Sequence, residues 1–261
     1  MRVLAWARPA VAAGALALGL SQALAQAALP ENFVYLRDVD PSIAQDIRYA
    51  SSNNFVGRPL DGYEAAECIL RREVAAALSR VQTDLKEAGL GLKVYDCYRP
   101  HRAVRAMGQW AHDGRADGAK RFFPNHEKNA LFALGYLAGV SRHSTGTAVD
   151  LTLVELARPA GARFDPAARY APCTAPAPAR APDDSVDMGT GYDCFDLNSR
   201  TRSPAIGPEA QRRRSLLVAA MGKHGFRNYH REWWHFSFAL PQVPAHYDFP
   251  IRPRGAKAQR N

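Results

Sequence analysis

Four cysteines restrict how this chain folds more than any other feature of its sequence. Their number is even, and no two of them form the C-x-x-C pair of a structural zinc site. In a chain exported to an oxidising compartment this pattern favours two disulfides, with four free buried thiols as the alternative. On paper, three pairings are possible among Cys68, Cys97, Cys173 and Cys194.

Residues 1–25 predict that export. They contain Arg2 and Arg8, then an apolar run without an acidic residue, then Ala-Leu-Ala at residues 23–25, which is typical of a signal peptidase site. An uncleaved membrane anchor is the alternative, but the run is shorter than the ~20 apolar residues that a spanning helix needs. We expect a mature chain that begins near Gln26, has no membrane span, and lies in the periplasm or outside the cell. No cysteine follows the cleavage site to carry a lipid.

Local periodicity favours one pairing of the cysteines. The pattern from Cys68 to about Ala88 is helical and advances roughly 30 Å, whereas residues 90–97 are extended and cover roughly 25 Å. If the chain reverses at Gly89, Cys97 returns close to Cys68. We therefore predict two disulfides, Cys68–Cys97 and Cys173–Cys194.

Hydrophobic periodicity predicts an α+β fold for a single domain over residues 26–251, with a central antiparallel sheet flanked by helices. Residues 32–61 have extended character. Residues 158–184 are rich in Ala and Pro without periodicity, which indicates a long surface excursion pinned by Cys173. Helices are expected at residues 68–88, 101–114, 128–137 and 208–223, and strands at residues 90–98, 148–156 and 232–240.

Two segments carry side chains suited to zinc chemistry. In the first, His143 lies in a loop and Asp150 on the strand that follows, facing away from its aliphatic neighbours. In the second, Glu232 precedes His235 by three positions. A catalytic zinc site uses about three protein ligands, keeps one position for water and needs a base nearby. Because side chains three apart on a strand face opposite sides, Glu232 is expected in a bend before the last strand.

Together with further motifs, these segments resemble the D-alanyl-D-alanine dipeptidases, which are related to the D,D-carboxypeptidases and the amino-terminal hedgehog signalling domain. The matching motifs are Tyr-Asp-Cys-Tyr-Arg-Pro at residues 95–100, the stretch at residues 187–196, and Glu-Trp-Trp-His-Phe at residues 232–236. The resemblance extends over about residues 54–238. It implies a hedgehog/D,D-peptidase-like fold and zinc-dependent hydrolysis of D-Ala-D-Ala to two D-alanines.

The resemblance also implies a role for each matching residue. His143, Asp150 and His235 match the ligands of one Zn²⁺ ion per chain, and Glu232 matches the catalytic base. Arg99 matches the arginine that meets the scissile carbonyl, where a permanent positive charge stabilises the developing negative charge. A salt bridge within the fold is the alternative for this arginine.

Ser141 and Asp187 match positions that hold the ammonium group of a small dipeptide substrate. The alternative for Asp187 is an ordinary turn aspartate before Gly189. Two other functions stay open on the sequence: a D,D-carboxypeptidase or endopeptidase acting on longer wall peptides, and a zinc-stabilised binding module without catalysis. A purely structural zinc needs neither Glu232 nor Arg99, which argues against the binding module.

The formal net charge of +9 does not indicate a nucleic-acid partner. Much of the excess lies in the signal segment and in residues 252–261, which contain four basic residues and no acid. The folded body therefore carries little excess charge. We interpret residues 252–261 as a disordered basic tail that makes, at most, weak contacts with anionic wall polymers.

Overall fold

The computed structural model describes residues 29–115, 119–158, 161–242 and 244–255. The predicted signal segment at residues 1–25 lies outside these ranges. None of the helices in the described ranges combines the length and the hydrophobicity that a membrane crossing requires.

A five-stranded sheet forms the centre of the molecule. Its strands, in spatial order, are β2 (Ala44–Gln45), β4 (Leu90–Asp96), β5 (Ala148–Glu155), β7 (His235–Phe238) and β6 (Phe226–Asn228). The pairs β4–β5, β5–β7 and β7–β6 are antiparallel, and only the short edge strand β2 is parallel to its neighbour β4. The predicted α+β fold with an antiparallel sheet is therefore confirmed, with one parallel edge added.

Helices α2 (Arg72–Lys86) and α4 (Pro208–Lys223) cover one face of this sheet. Helix α2 packs on β4, and α4 packs on β6 and on α2. Between them and the sheet lie the buried aliphatic side chains of β5, Val149, Leu151 and Leu153. Because successive side chains of a strand point to opposite faces, Asp150 points to the other face of the sheet, as the sequence pattern predicted. The helices are α1 Leu36–Val39, α2 Arg72–Lys86, α3 His101–His112 and α4 Pro208–Lys223.

Three of the predicted helices and strands differ from the structure by more than two residues at one end. The α2 helix begins at Arg72, because the preceding Ile69–Arg71 forms strand β3 and pairs antiparallel with β1, Phe33–Tyr35. The predicted helix at residues 128–137 is a 3₁₀ turn at Lys128–Ala130 followed by turns. The last predicted strand is shorter and begins at His235, because the residues before it form a turn.

Both predicted disulfides are present. Cys68 pairs with Cys97 across a Cα–Cα distance of 5.3 Å, and Cys173 pairs with Cys194 across 5.5 Å. Cys68 lies just before β3 and not inside a helix, yet the return of β4 alongside α2 still brings Cys97 to it. The disulfides agree with the export that residues 1–25 predict.

The first residues of the predicted basic tail are held against the body, which differs from the expected disorder. Arg252 lies 3.4 Å from Glu64, and Arg254 lies 2.7 Å from Asp38. Residues 256–261 lie outside the described ranges.

We predict that replacing Cys68 and Cys97 together by alanine lowers the free energy of unfolding by about 3 kcal/mol, because the bond no longer restricts the unfolded chain. Urea unfolding of the oxidised proteins measures the difference. The matched control is the double replacement of Cys173 and Cys194, whose loop of 21 residues is similar to the loop of 29. Equal unfolding midpoints for the wild type and both variants would contradict the prediction.

Candidate active site

Three adjacent strands place ionisable side chains in one row. Asp96 of β4 lies opposite Asp150 of β5, and Asp150 lies opposite His235 of β7. A register irregularity between Val94 and Asp96 brings Asp96 into this row. Since opposed residues on neighbouring strands share a face, the three side chains stand side by side on the face opposite to α2 and α4.

A short 3₁₀ turn, Arg142–Thr145, brings His143 to the same row. The Ser141 side chain caps this turn by accepting a hydrogen bond from the His143 backbone nitrogen. Gly146 ends the turn at φ 74°, and a Cβ there would collide with the Phe33 ring. The turn therefore requires glycine where the chain passes into β5.

The Nδ1 atom of His143 lies 2.7 Å from the carbonyl oxygen of Cys97. Nδ1 is then the donor, which leaves Nε2 with a free lone pair directed at the row. A backbone carbonyl that fixes the tautomer of a histidine in this way is the usual partner of a metal-ligating imidazole.

Three ligand atoms converge to form a compact triangle. His143 Nε2 lies 3.1 Å from His235 Nδ1 and 3.3 Å from Asp150 Oδ1, and the last two atoms are 3.0 Å apart. Zinc bonds of 2.0–2.2 Å in tetrahedral geometry separate two ligands by roughly 3.3 Å. Two imidazoles and one carboxylate at these distances fit one such ion and leave one position for water or substrate.

Asp150 is suited to this role because it stays ionised although it is buried. Burial acts to raise the pKa of this carboxyl, but His143 and His235 lower it well below its ordinary value. A metal ligand of this type has to be deprotonated.

Glu232 lies in the turn before β7, as its spacing from His235 required. Its backbone nitrogen donates to the Tyr229 carbonyl, and its side chain lies 4.0 Å from His235 Nδ1. Burial raises the pKa of the Glu232 carboxyl to about 7; His235 opposes this rise and the charge of Asp150 adds to it. A carboxyl with a pKa near neutrality is able both to take up and to release a proton.

Arg99 is aimed into the site by Asp96. The carboxylate of Asp96 accepts hydrogen bonds from Arg99 at 2.9 Å and, on its other oxygen, from Tyr63 at 2.6 Å. Arg99 Nη2 also lies 3.6 Å from Asp150 Oδ2, and the guanidinium lies over the Tyr49 ring. The arginine thus forms a salt bridge and at the same time presents positive charge beside the ligand triangle.

All of these groups meet in a cavity of about 560 Å³. It brings together six of the seven predicted catalytic, metal and substrate residues. They are Arg99, Ser141, His143, Asp150, Glu232 and His235.

Asp187 is the predicted site residue that the structure does not bring to this cavity. It lines a different cavity, pairs with Arg180 at 2.5 Å, and accepts a hydrogen bond from the Gly189 backbone nitrogen. This is the turn aspartate that the sequence offered as the alternative.

A different carboxylate, Asp193, occupies the site and was missed. It lines the same cavity as the ligand triangle, is only 4% exposed, and accepts a 2.7 Å hydrogen bond from the Tyr49 hydroxyl. Burial, followed by the negative charge of Asp150, raises the pKa of Asp193 well above its ordinary value. The sequence signal was its position next to Cys194, whose disulfide buries this segment, whereas Asp187 precedes a turn glycine.

The family profile described as D-ala-D-ala dipeptidase matches residues 30–175 and 181–251 of the chain. The chain belongs to this peptidase family. D-Alanyl-D-alanine dipeptidases are similar to it along most of their length. The relative from Enterococcus faecalis is 32% identical over 220 residues, which cover 84% of this chain and 97% of the relative. The relative from Streptomyces coelicolor is 31% identical, with coverage of 84% and 98%.

The D-alanyl-D-alanine dipeptidase of Escherichia coli is 29% identical and covers 82% of this chain and 86% of the relative. Among solved structures, the LD-carboxypeptidase LdcB, studied for its peptidoglycan recognition, matches with a TM-score of 0.39 and 16% identity. That match covers 80% of this chain and 68% of the other. The dipeptidase family consists of metallopeptidases, which agrees with the His143, Asp150 and His235 triangle.

We predict that His235→Ala lowers the affinity of the purified dipeptidase family member for a divalent ion by at least about 100-fold. Removal of a direct ligand costs more than the 10–100-fold lost with an outer partner. Competition with a chromogenic chelator measures the affinity. The matched control is His224→Ala, which removes an imidazole that pairs with Asp84 and does not line the cavity. Equal losses in both variants would show that the triangle is not the metal site.

Proposed function

We propose that this chain hydrolyses the dipeptide D-Ala-D-Ala to two D-alanines with one Zn²⁺ ion held by His143, Asp150 and His235. The observation that carries the proposal is the meeting of this triangle with Glu232 and Arg99 in one cavity. Family membership supports dipeptide hydrolysis. Zinc is the ion proposed because two imidazoles and one carboxylate are ligands that it prefers.

The reaction assigns a separate task to each catalytic side chain. When bound, the ion lowers the pKa of a water molecule and polarises the scissile carbonyl. Glu232 takes a proton from the attacking water and delivers it to the nitrogen of the leaving D-alanine, whose bond to the carbonyl carbon breaks. Arg99 donates hydrogen bonds to the carbonyl oxygen while negative charge develops there. Asp96 holds Arg99 in the orientation that this requires.

Asp193 takes the place of Asp187 in the proposal as the anchor of the substrate's ammonium group, together with Ser141. Both side chains line the catalytic cavity. Without substrate the pKa of Asp193 is raised, and an adjacent ammonium group favours the ionised carboxylate. The gain from this charge-assisted pair explains a requirement for a free amino end, which a dipeptide meets and an acylated wall peptide does not.

We propose further that the enzyme is exported and acts on dipeptide derived from the cell wall, as a step of nutrient recycling. The support is the signal-like segment at residues 1–25 and the two disulfides. An exported enzyme does not reach the cytoplasmic dipeptide pool, so depletion of that pool in glycopeptide resistance is the less fitting role.

We expect purified residues 26–261, loaded with zinc, to release D-alanine from D-Ala-D-Ala and not from N-acetylated D-Ala-D-Ala or from a wall pentapeptide. Glu232→Gln is expected to lower kcat by about 10²–10⁴-fold, the usual contribution of a general acid–base group. Chromatographic quantification of D-alanine measures both. Preference for the blocked or longer substrates would identify a carboxypeptidase or endopeptidase instead. Absence of zinc-dependent cleavage of all three would favour the binding module.

We predict that Asp193→Asn raises KM for D-Ala-D-Ala roughly 10- to 100-fold, because a hydrogen bond between charged groups contributes about 1.5–3 kcal/mol. Asp187→Asn is the matched control, since it changes the same functional group outside the cavity, and it is expected to leave KM within about twofold. Initial-rate kinetics on the free dipeptide measure both. The reverse result, with Asp187→Asn alone raising KM, would restore Asp187 as the anchor.

A further inference from the structure

The two oxygens of Asp150 have different partners. Oδ1 faces both imidazoles of the ligand triangle. Oδ2 accepts a 3.1 Å hydrogen bond from the hydroxyl of Tyr192 and lies 3.6 Å from Arg99. A carboxylate bound in this way on one oxygen presents only the other to an ion.

We propose that Tyr192 is a positioning residue that fixes Asp150 as a one-oxygen ligand and thereby sets the metal affinity of the site. Tyr192 is only 2% exposed, so little water reaches Asp150 Oδ2 to replace the hydrogen bond from its hydroxyl. Outer hydrogen bonds of this kind orient ligating carboxylates, and their loss typically weakens metal binding 10–100-fold. The proposal rests on the zinc site proposed above but not on the choice of substrate.

Neighbouring aromatic rings hold the ring of Tyr192 in place. The ring stacks on Tyr95, with centroids 4.4 Å apart and planes inclined by 20°, and meets the edge of Trp234 at 5.6 Å. Tyr95 in turn donates a 2.7 Å hydrogen bond to Asp183. A stacked aromatic pair with an anchored hydroxyl leaves the Tyr192 side chain little freedom to leave Asp150.

The Ala- and Pro-rich excursion, residues 158–184, contributes Asp183, the residue that holds the Tyr95 hydroxyl. Besides Tyr95, its Asp183 binds Arg48 at 3.0 Å and Lys93 at 2.5 Å. These two cations and Asp183 form a paired cluster beneath the Tyr95 ring. The cluster fixes the end of the excursion to the central sheet, on the face that carries the active site.

The excursion also holds the backbone on both sides of Tyr192. The Gly191 nitrogen donates to the Cys173 carbonyl at 2.8 Å, and Cys194 is joined to Cys173 by the disulfide. The excursion therefore braces the segment that presents Tyr192 to Asp150, and this gives a role to a stretch of sequence for which the catalytic residues alone provide none.

Tyr192→Phe tests the proposal because it keeps the stacked ring and removes only the hydroxyl. We expect the Zn²⁺ dissociation constant of the variant to be 10–100-fold larger than that of the wild type, measured by chelator competition without substrate. The urea unfolding midpoint of the metal-free variant is expected to stay close to that of the metal-free wild type.

Tyr49→Phe is the matched control. Tyr49 is equally buried and donates its hydroxyl to a carboxylate of the same cavity, but to Asp193, which is not a ligand. This variant is expected to keep the Zn²⁺ dissociation constant within about twofold of the wild type while raising KM for the free dipeptide. Metal affinity unchanged in Tyr192→Phe, or weakened equally in both variants, would overturn the proposal. Because metal binding is measured without substrate, a failure of the dipeptidase assay leaves this result interpretable.

Discussion

The structure depends on one row of buried ionisable side chains, Asp96, Asp150 and His235, standing side by side across three strands. Buried carboxylates are costly unless charges and hydrogen bonds compensate for the lost water. Arg99 compensates Asp96 directly, and Tyr63 donates to its other oxygen. The charges and hydrogen bonds of the surrounding groups must therefore offset the cost of burying this row. Arg99 is part of that balance, and this is why its guanidinium is already oriented without substrate.

The two faces of β5 contribute to different parts of the structure, one to the hydrophobic core and the other to the cavity. Val149, Leu151 and Leu153 are buried beneath α2 and α4, whereas Asp150 faces the cavity. Period-two alternation is a local property of the sequence, so the direction of Asp150 was predictable without any knowledge of the partner strands. The pairing of Asp150 with His235 was not, because register depends on which distant strands meet. The resemblance to the dipeptidase motifs supplied the ligand set that periodicity alone could not assemble.

Asp187 and Asp193 show where sequence reasoning stopped. Both lie in the same matching motif, and the resemblance alone did not identify which one enters the cavity, although the position of Asp193 next to Cys194 was a signal for it. The backbone decides: Asp187 accepts a hydrogen bond from the Gly189 nitrogen and stays in its turn, while Asp193 adopts φ 54° beside Cys194. A left-handed backbone at a non-glycine residue is uncommon and is retained where the surrounding structure enforces it. Here the disulfide of Cys194 and the hydroxyl of Tyr49 do so.

The two disulfides lie next to residues of the site. Cys97 provides the carbonyl that fixes the tautomer of His143, and Cys194 directly follows Asp193. Each bond therefore immobilises backbone adjacent to a group that the proposed function requires to be held to a fraction of an ångström. A cross-link that only restricted the unfolded chain would serve equally well anywhere with a similar loop length. Their location beside His143 and Asp193 thus links the stability of the fold to the preorganisation of the site.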